Sequence, residues 1–373
     1  MRIERVERLR VDRWLFVQIH TDSGLVGLGE AGMWGYPDAN DAVIASWEPY
    51  LIGKDPLRIE HHWQALYRLQ HFRSGAITGA LGAIDAALWD IAGQHFETPV
   101  YQLLGGKVRD KVRVQTGIHA SSIDGLVAQA KAEVARGITA LRVTPFSANF
   151  PAMRHDELIA EAVAQVGAVR EAVGKGVDIG VEIHRRMTAA TAISLARELE
   201  VFRPLYYEDP IPPSSIQAQG EIARAINLPL AAGERLQNIW EFRELLACEG
   251  ARYLRIDPCL TGGLTPSKKV AGIAESYGVE LIPHGALSSI ATAIAVQLDA
   301  CIPNFMLQDY LGDDLPPKND FLVENLVLES GYLIVPDRPG IGVRLKSGLA
   351  ERYPPIVRPP DPAFHEDGSI ADR

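Results

Sequence analysis

Three glutamates and two histidines carry the chemistry this sequence suggests. Glu182, Glu208, Glu234, Asp257 and His284 follow one another at steps of 26, 26, 23 and 27 residues, and His184 lies two residues after the first. A step of that length is one strand–helix unit, so these side chains should recur at one level around a closed sheet. Three carboxylates on adjacent strands repel one another when partly desolvated. A divalent cation resolves that conflict, and oxygen donors with open positions suit Mg²⁺. The bland alternative is that one or more of them forms a structural ion pair, for instance with Arg235 or Arg255. Asp257, one strand before His284, can accept a ring N–H, fix the imidazole tautomer and raise its basicity. That makes His284 a candidate base on one side of the ion. His184 faces the ion from the other side, where it could deliver a proton. The alternative for either ring is a satisfied core or rim residue.

The elements that would position these groups are legible as alternating patterns. Short apolar runs at 112–117, 140–144, 178–183, 205–209, 228–233, 253–257, 279–283 and 305–309 read as strands. Helical segments such as 124–136, 156–173, 188–200, 265–277 and 289–299 lie between them. Eight such strands with right-handed crossovers fit an α/β fold of the (β/α)₈ barrel type better than a doubly wound sheet. Active sites of that fold sit at the C-terminal ends of the strands. Before the barrel, residues 1–111 read as three strands with a turn at Ser23-Gly24, then helices near 38–47, 57–70 and 76–93. The last is apolar nearly all round and should be buried. The expected organisation is an N-terminal α+β capping domain over 1–111, a catalytic barrel over 112–315 and a segment over 316–373 that returns to the cap.

Other features exclude more than they suggest. The chain has 373 residues, 47 acidic against 37 basic, a net charge of −10 and 47% apolar residues. That composition supports a packed core and argues against nucleic-acid binding, which wants a basic face. No run approaches the length of a membrane span, and the first residues lack the apolar stretch of a secretory leader, so a cytoplasmic setting is expected. Cys248, Cys259 and Cys301 are too few and too scattered for a disulfide framework. GLGEAG (27–32) matches a dinucleotide-binding fingerprint, but Met33-Trp34-Gly35-Tyr36-Pro37 follows where a helix should open, so it reads as a loop. His61-His62 reads as a solvated helix face, and Gly105-Gly106-Lys107 as a turn.

Together the motifs resemble the enolase superfamily, in its mandelate racemase-like branch, and within it the acid-sugar dehydratases of the D-galactonate type. VEIHRR (181–186), YYEDPIPP (206–213), LAAGERL (230–236), IDPCLTGGLT (256–265) and IPHGAL (282–287) carry the likeness in the barrel. ALGAIDAALWDIAG (80–93) and PVYQLLGG (99–106) carry it in the cap. The resemblance implies that Glu182, Glu208 and Glu234 hold Mg²⁺, which binds the substrate carboxylate and stabilises an enediolate. His284, oriented by Asp257, would remove the proton alpha to the carboxylate, and His184 would protonate the departing 3-hydroxyl. The product would be a 2-keto-3-deoxy sugar acid. The resemblance also implies a small sugar-acid substrate and an even-numbered homo-oligomer.

Three departures stand out. Glu182 replaces the usual Asp, Asp309 on the eighth strand replaces the usual Glu, and Arg185 follows His184 where Gly is common. Arg142-Val143-Thr144 lacks the Lys-x-Lys of the racemases, and the 144–155 connection lacks the Tyr of the mannonate type. A capping loop near 29–38 is expected to close over the substrate with Met33, Trp34 and Tyr36 in contact, and Gly29, Gly32 and Gly35 giving it freedom. Asp309 and Arg235 are the other expected substrate contacts. Epimerisation or racemisation of a 2-hydroxy acid by the same enolate chemistry, and a non-catalytic regulatory relative, are the alternatives.

Overall fold

A computed structural model describes residues 1–371 apart from 214, 358 and 360. The cap opens with an antiparallel meander of β1 (Ile3–Val11), β2 (Trp14–Thr21) and β3 (Val26–Glu30). Three helices cover it: α1 (Pro37–Leu51), α2 (Ile59–Leu69) and α3 (Gly75–His95). α3 is long and apolar enough to cross a membrane, yet 83% of its apolar window is buried inside the protein. It is the core helix of the cap, as a sequence with no polar face requires. A short α4 (Val100–Leu103) leads into the barrel.

Eight parallel strands form that barrel. In order they are β4 (Lys111–Ile118), β5 (Ala140–Val143), β6 (Asp178–Glu182), β7 (Tyr206–Glu208), β8 (Leu230–Ala232), β9 (Tyr253–Leu254), β10 (Glu280–Leu281) and β11 (Gln308–Asp309). Each pairs in parallel with the next from β4 to β10. The ring closes because Met306 N–H donates to Leu281 O at 2.9 Å and β11 pairs with β4. The intervening helices are α5 (Ile123–Ala135), α6 (His155–Val173), α7 (Ala189–Leu199), α8 (Ile216–Ala225), α9 (Ile239–Ala247), α10 (Leu264–Ser276) and α11 (Ser289–Cys301). Side chains of Ser122, Thr188, Ser215, Asn238 and Ser288 cap five of them, accepting backbone N–H groups of the first turn. These caps fix the loops at the end of the barrel where the strands finish.

Beyond β11 the chain touches both bodies. The pair β12 (Leu328–Glu329) and β13 (Tyr332–Ile334) adds to β4 antiparallel. Phe321 packs edge-on against Trp14 and Phe16 of the cap, and Ile341 N–H donates to Asp90 of α3 at 2.8 Å.

Three expectations are corrected. His62 is buried at 2% exposure, facing Tyr50 Oη at 3.0 Å and the Asp55 carbonyl at 2.9 Å, so only His61 belongs to a solvated face. The capping loop is shorter than 29–38, because 29–30 finish β3 and 37–38 begin α1. Gly29 and Gly32 are there for close approach: an added Cβ would lie 2.0 Å from Ala83 O and 2.2 Å from the Cys259 carbonyl carbon. Only Gly35, at φ +84° with open space around it, has the conformational role expected of all three.

Candidate active site

Register sets the site. Glu182 pairs directly with Glu208 across β6 and β7, so both glutamates reach the same level where the strands end. Glu234 follows β8 by two residues, after Gly233 at φ +126° turns the chain. An oxygen of Glu182, a ring nitrogen of His184 and an oxygen of Glu234 all lie within 4.8 Å of one another. Glu208 stands beside them, fully buried. Its Oε1 accepts from Arg255 Nε, while Oε2 is buried with no hydrogen-bond partner among the described residues. Burial pushes its carboxyl up to about 7, and Glu182 and Glu234 push the same way against Arg255 and Arg142. The ion pair with Arg255 raised at the outset is therefore real, yet it uses one oxygen and leaves the other open.

The histidines flank this cluster. His284 Nδ1 lies 2.9 Å from Asp257 Oδ2, and Asp257 Oδ1 accepts the N–H groups of Cys259 and Leu260 at 2.9 and 3.1 Å. The carboxylate is thus held on one side and holds the ring on the other. His284 Nε2 points at Glu234 Oε2, 3.5 Å away. His184 Nδ1 is buried without a hydrogen-bond partner among the described residues. Burial lowers both rings, but the outcomes diverge. Glu234 and Asp257 outweigh it and carry His284 up to about 9. At His184 it prevails over Glu182, and the ring falls to about 4.

The backbone around His184 is strained. His184, Arg185 and Asp209 have φ of +55°, +58° and +39°, and Arg185 N–H donates to Asp209 O at 2.6 Å. Side-chain-bearing residues hold that conformation only where the surroundings impose it. Glycine would adopt it freely, and here Arg185 does not have that freedom.

The expected substrate contacts divide. Arg235 is one-third exposed, with Nε 3.5 Å from Glu234 Oε1. Met33 borders Gly75 together with Leu260 and Gln237, and Trp34 and Tyr36 are exposed on the cap loop. Asp309 is turned inward at 1% exposure. Its Oδ1 accepts from Gln115 Nε2 at 2.7 Å; its Oδ2 faces Arg255 Nη2 at 2.5 Å, Arg142 Nη1 at 3.4 Å and Gly285 N–H at 3.3 Å. A carboxylate so engaged braces the barrel interior. Arg142, seen in the sequence only as a missing lysine pair, was missed as a site residue. So was Asp209, fully buried beside the glutamates, whose carboxyl is pushed well up by burial and by Glu234. The one sequence signal for Asp209 was its place beside Glu208 at a strand end.

Residues 6–105 match the mandelate racemase / muconate lactonizing enzyme N-terminal domain, and residues 125–349 match the enolase C-terminal domain-like family. This chain belongs to the mandelate racemase branch of the enolase superfamily. It is 35% identical over the full length of both chains to D-galactonate dehydratases of Verminephrobacter eiseniae and Ralstonia nicotianae. A solved enolase from Agrobacterium radiobacter, assigned provisionally as a galactarate dehydratase and holding Na and L-malate, superposes with a TM-score of 0.93 at 29% identity over all of both chains. The chain is an enzyme of the carbon–oxygen lyase class to which these dehydratases belong.

Proposed function

We propose that this enzyme dehydrates a sugar acid, an aldonate such as galactonate or gluconate, to a 2-keto-3-deoxy sugar acid with Mg²⁺ as cofactor. The observation that carries the reading is the Asp257–His284 pair aimed at a cluster of glutamates. The donor set fits a hard divalent cation: Glu182 and Glu234 converge with His184, and Glu208 keeps a buried oxygen that nothing in the described residues satisfies. Glu182, Glu208 and Glu234 would hold the ion. Bound there, it would offset their charge, draw electron density from the substrate carboxylate so that the C2 proton becomes removable, and cancel the pull of Glu234 on His284.

His284 then acts as the base. Asp257 keeps its Nδ1 side engaged, so Nε2 is the nitrogen that takes the C2 proton. His184, across the cluster, would enter the step as the imidazolium and supply its proton to the 3-hydroxyl, which leaves as water. The enol left behind takes a proton at C3, releases the proton of its 2-hydroxyl and becomes the 2-keto acid. Met33, Trp34 and Tyr36 on the cap loop, with Arg235, would read the hydroxyls. Incubation with a panel of aldonic and aldaric acids plus Mg²⁺, followed by assay of 2-keto products, tests this. Metal binding with no turnover on any member would count decisively against dehydration.

Epimerisation of a 2-hydroxy acid is the second reading, favoured by one observation. His184 is held neutral, the state of a proton acceptor, so both flanking rings could exchange the C2 proton. Solvent deuterium appearing at C2 of recovered substrate, with inversion and without water loss, would select it.

A further inference from the structure

Two guanidinium groups lie beneath the glutamate cluster, and the chemistry above uses neither. Arg142 projects from β5 and Arg255 from just beyond β9, at 6% and 0% exposure. Arg255 donates through Nε to Glu208 Oε1, through Nη2 to Asp309 Oδ2 at 2.5 Å and through Nη1 to Ile282 O at 2.9 Å. Arg142 sets Nε 3.3 Å from Glu182 Oε2, and its Nη1 lies 3.4 Å from Asp309 Oδ2 and 3.8 Å from Glu208 Oε1. Two of the three carboxylates that would meet a metal therefore already face a fixed cation.

We infer that Arg142 and Arg255 are resident counter-ions of the metal site. They are positioning residues that hold Glu182 and Glu208 in place before the ion arrives and weaken its grip once it is bound. The inference rests on the metal-dependent reading above. Buried carboxylates without cations would take up protons or swing apart. Here Arg255 occupies one oxygen of Glu208, so the other is the only one left to offer. Through Asp309, which also accepts Gly285 N–H at 3.3 Å, the same guanidinium ties Glu208 to the loop that carries His284. A fixed positive charge at this range opposes a divalent ion even as it orders the ligands.

The sign of the effect on metal affinity separates this role from plain bracing. Calorimetric titration of the metal-stripped full-length protein with Mg²⁺ alone provides the measurement. Arg255→Gln should bind Mg²⁺ on the order of ten-fold more tightly than the wild type, because one opposing charge is gone. Arg255→Lys, which keeps the charge, should stay near the wild-type affinity. The double variant Arg255→Gln/Asp309→Asn removes one cation and one anion together and should return close to it as well. Arg142→Gln should tighten binding in the same direction as Arg255→Gln, and it carries the test if the Arg255 single variant does not fold. Unchanged or weaker binding in the glutamine variants would overturn the inference while leaving the proposed function standing. A wild type that binds no Mg²⁺ would overturn both.

Discussion

Two groups of buried carboxylates in this protein are treated differently. At the seam between cap and barrel, Glu30 accepts from Ser288 N–H at 3.1 Å, Ser288 Oγ at 2.6 Å and Ala291 N–H at 2.9 Å. Asp90 accepts from Leu28 N–H, Ile341 N–H and Gln94 Nε2 at 2.8 to 2.9 Å. Both oxygens of each are satisfied, mostly by backbone donors that cannot leave. At the barrel mouth, Glu182 and Glu208 face side-chain cations, and Glu208 keeps one buried oxygen with no partner. Glu30 and Asp90 are thus saturated by the fold, whereas Glu208 is oriented but left incomplete.

Removing the base should break the mouth alone. His284→Asn is expected to abolish C2 proton exchange and lower turnover at least about a thousand-fold, within the span that a positioned acid or base contributes. Thermal unfolding should be nearly unchanged, because the ring is held through one carboxylate. Exchange of the C2 proton into deuterated water, followed by NMR, reads the outcome. Residual exchange at the wild-type rate would remove His284 from its role.

The two kinds of carboxylate should then part in opposite directions. Asp90→Ala leaves two buried N–H groups of different segments without an acceptor. It should cost about 3 kcal/mol of stability, independent of Mg²⁺. Glu234→Gln removes one of several clustered negative charges and leaves no buried backbone group orphaned. It should leave the metal-free protein as stable as the wild type or slightly more so, while turnover falls about a hundred-fold or more. Denaturant unfolding with and without Mg²⁺, beside the turnover assay, compares them. Equal loss of stability in both variants would erase the distinction drawn here.

His184→Asn sharpens the mouth itself. If this ring only delivers the proton to the departing hydroxyl, dehydration should fall about a hundred-fold while C2 exchange by His284 continues. Loss of both together would instead favour two-ring proton exchange, and wild-type dehydration would deny the ring any acid role.

What could be read from the sequence follows the same division. Glu182, Glu208, Glu234, Asp257 and His284 were legible because the strand–helix repeat sets their level and their chemistry restricts their type. The closed barrel was legible for the same reason, since eight apolar runs at that repeat leave few other folds. The inward turn of Asp309 was not, because direction inside a barrel depends on Gln115 and the two arginines two to seven strands earlier in the chain. Arg142 looks like an ordinary strand residue until closure brings it under the carboxylate cluster, and Arg255 was legible only as one candidate ion-pair partner. The staples were illegible too: Glu30 sits inside GLGEAG, and its donors lie on α11, more than 250 residues later. Gly29 and Gly32 were misread because a loop of glycines suggests freedom, whereas Gly29 marks where β3 presses on α3 within the cap and Gly32 where cap and barrel backbones press together.

The smallest expected effect tests a staple by pH. Burial pushes the Glu30 carboxyl from its ordinary 4.5 up to about 8, against the pull of its hydrogen bonds. The folded protein then holds this proton more tightly than the unfolded chain. Stability should therefore fall as pH rises from about 4.5 to about 8, and the full penalty should be present above that range. The dipole at the start of α11 favours the anion and reduces the penalty. Glu30→Gln, which carries no proton to lose, should flatten this share of the slope, and Asp85 and Asp90, each near 7, should leave a remainder. Denaturant unfolding of both proteins at several pH values between 5 and 9 measures it. Parallel stability curves would mean that the three donors from Ser288 and Ala291 keep Glu30 ionised throughout. The staple would then work as a buried anion capping a helix, and the seam would differ from the mouth in the fixity of its donors, not in the protonation of its acids.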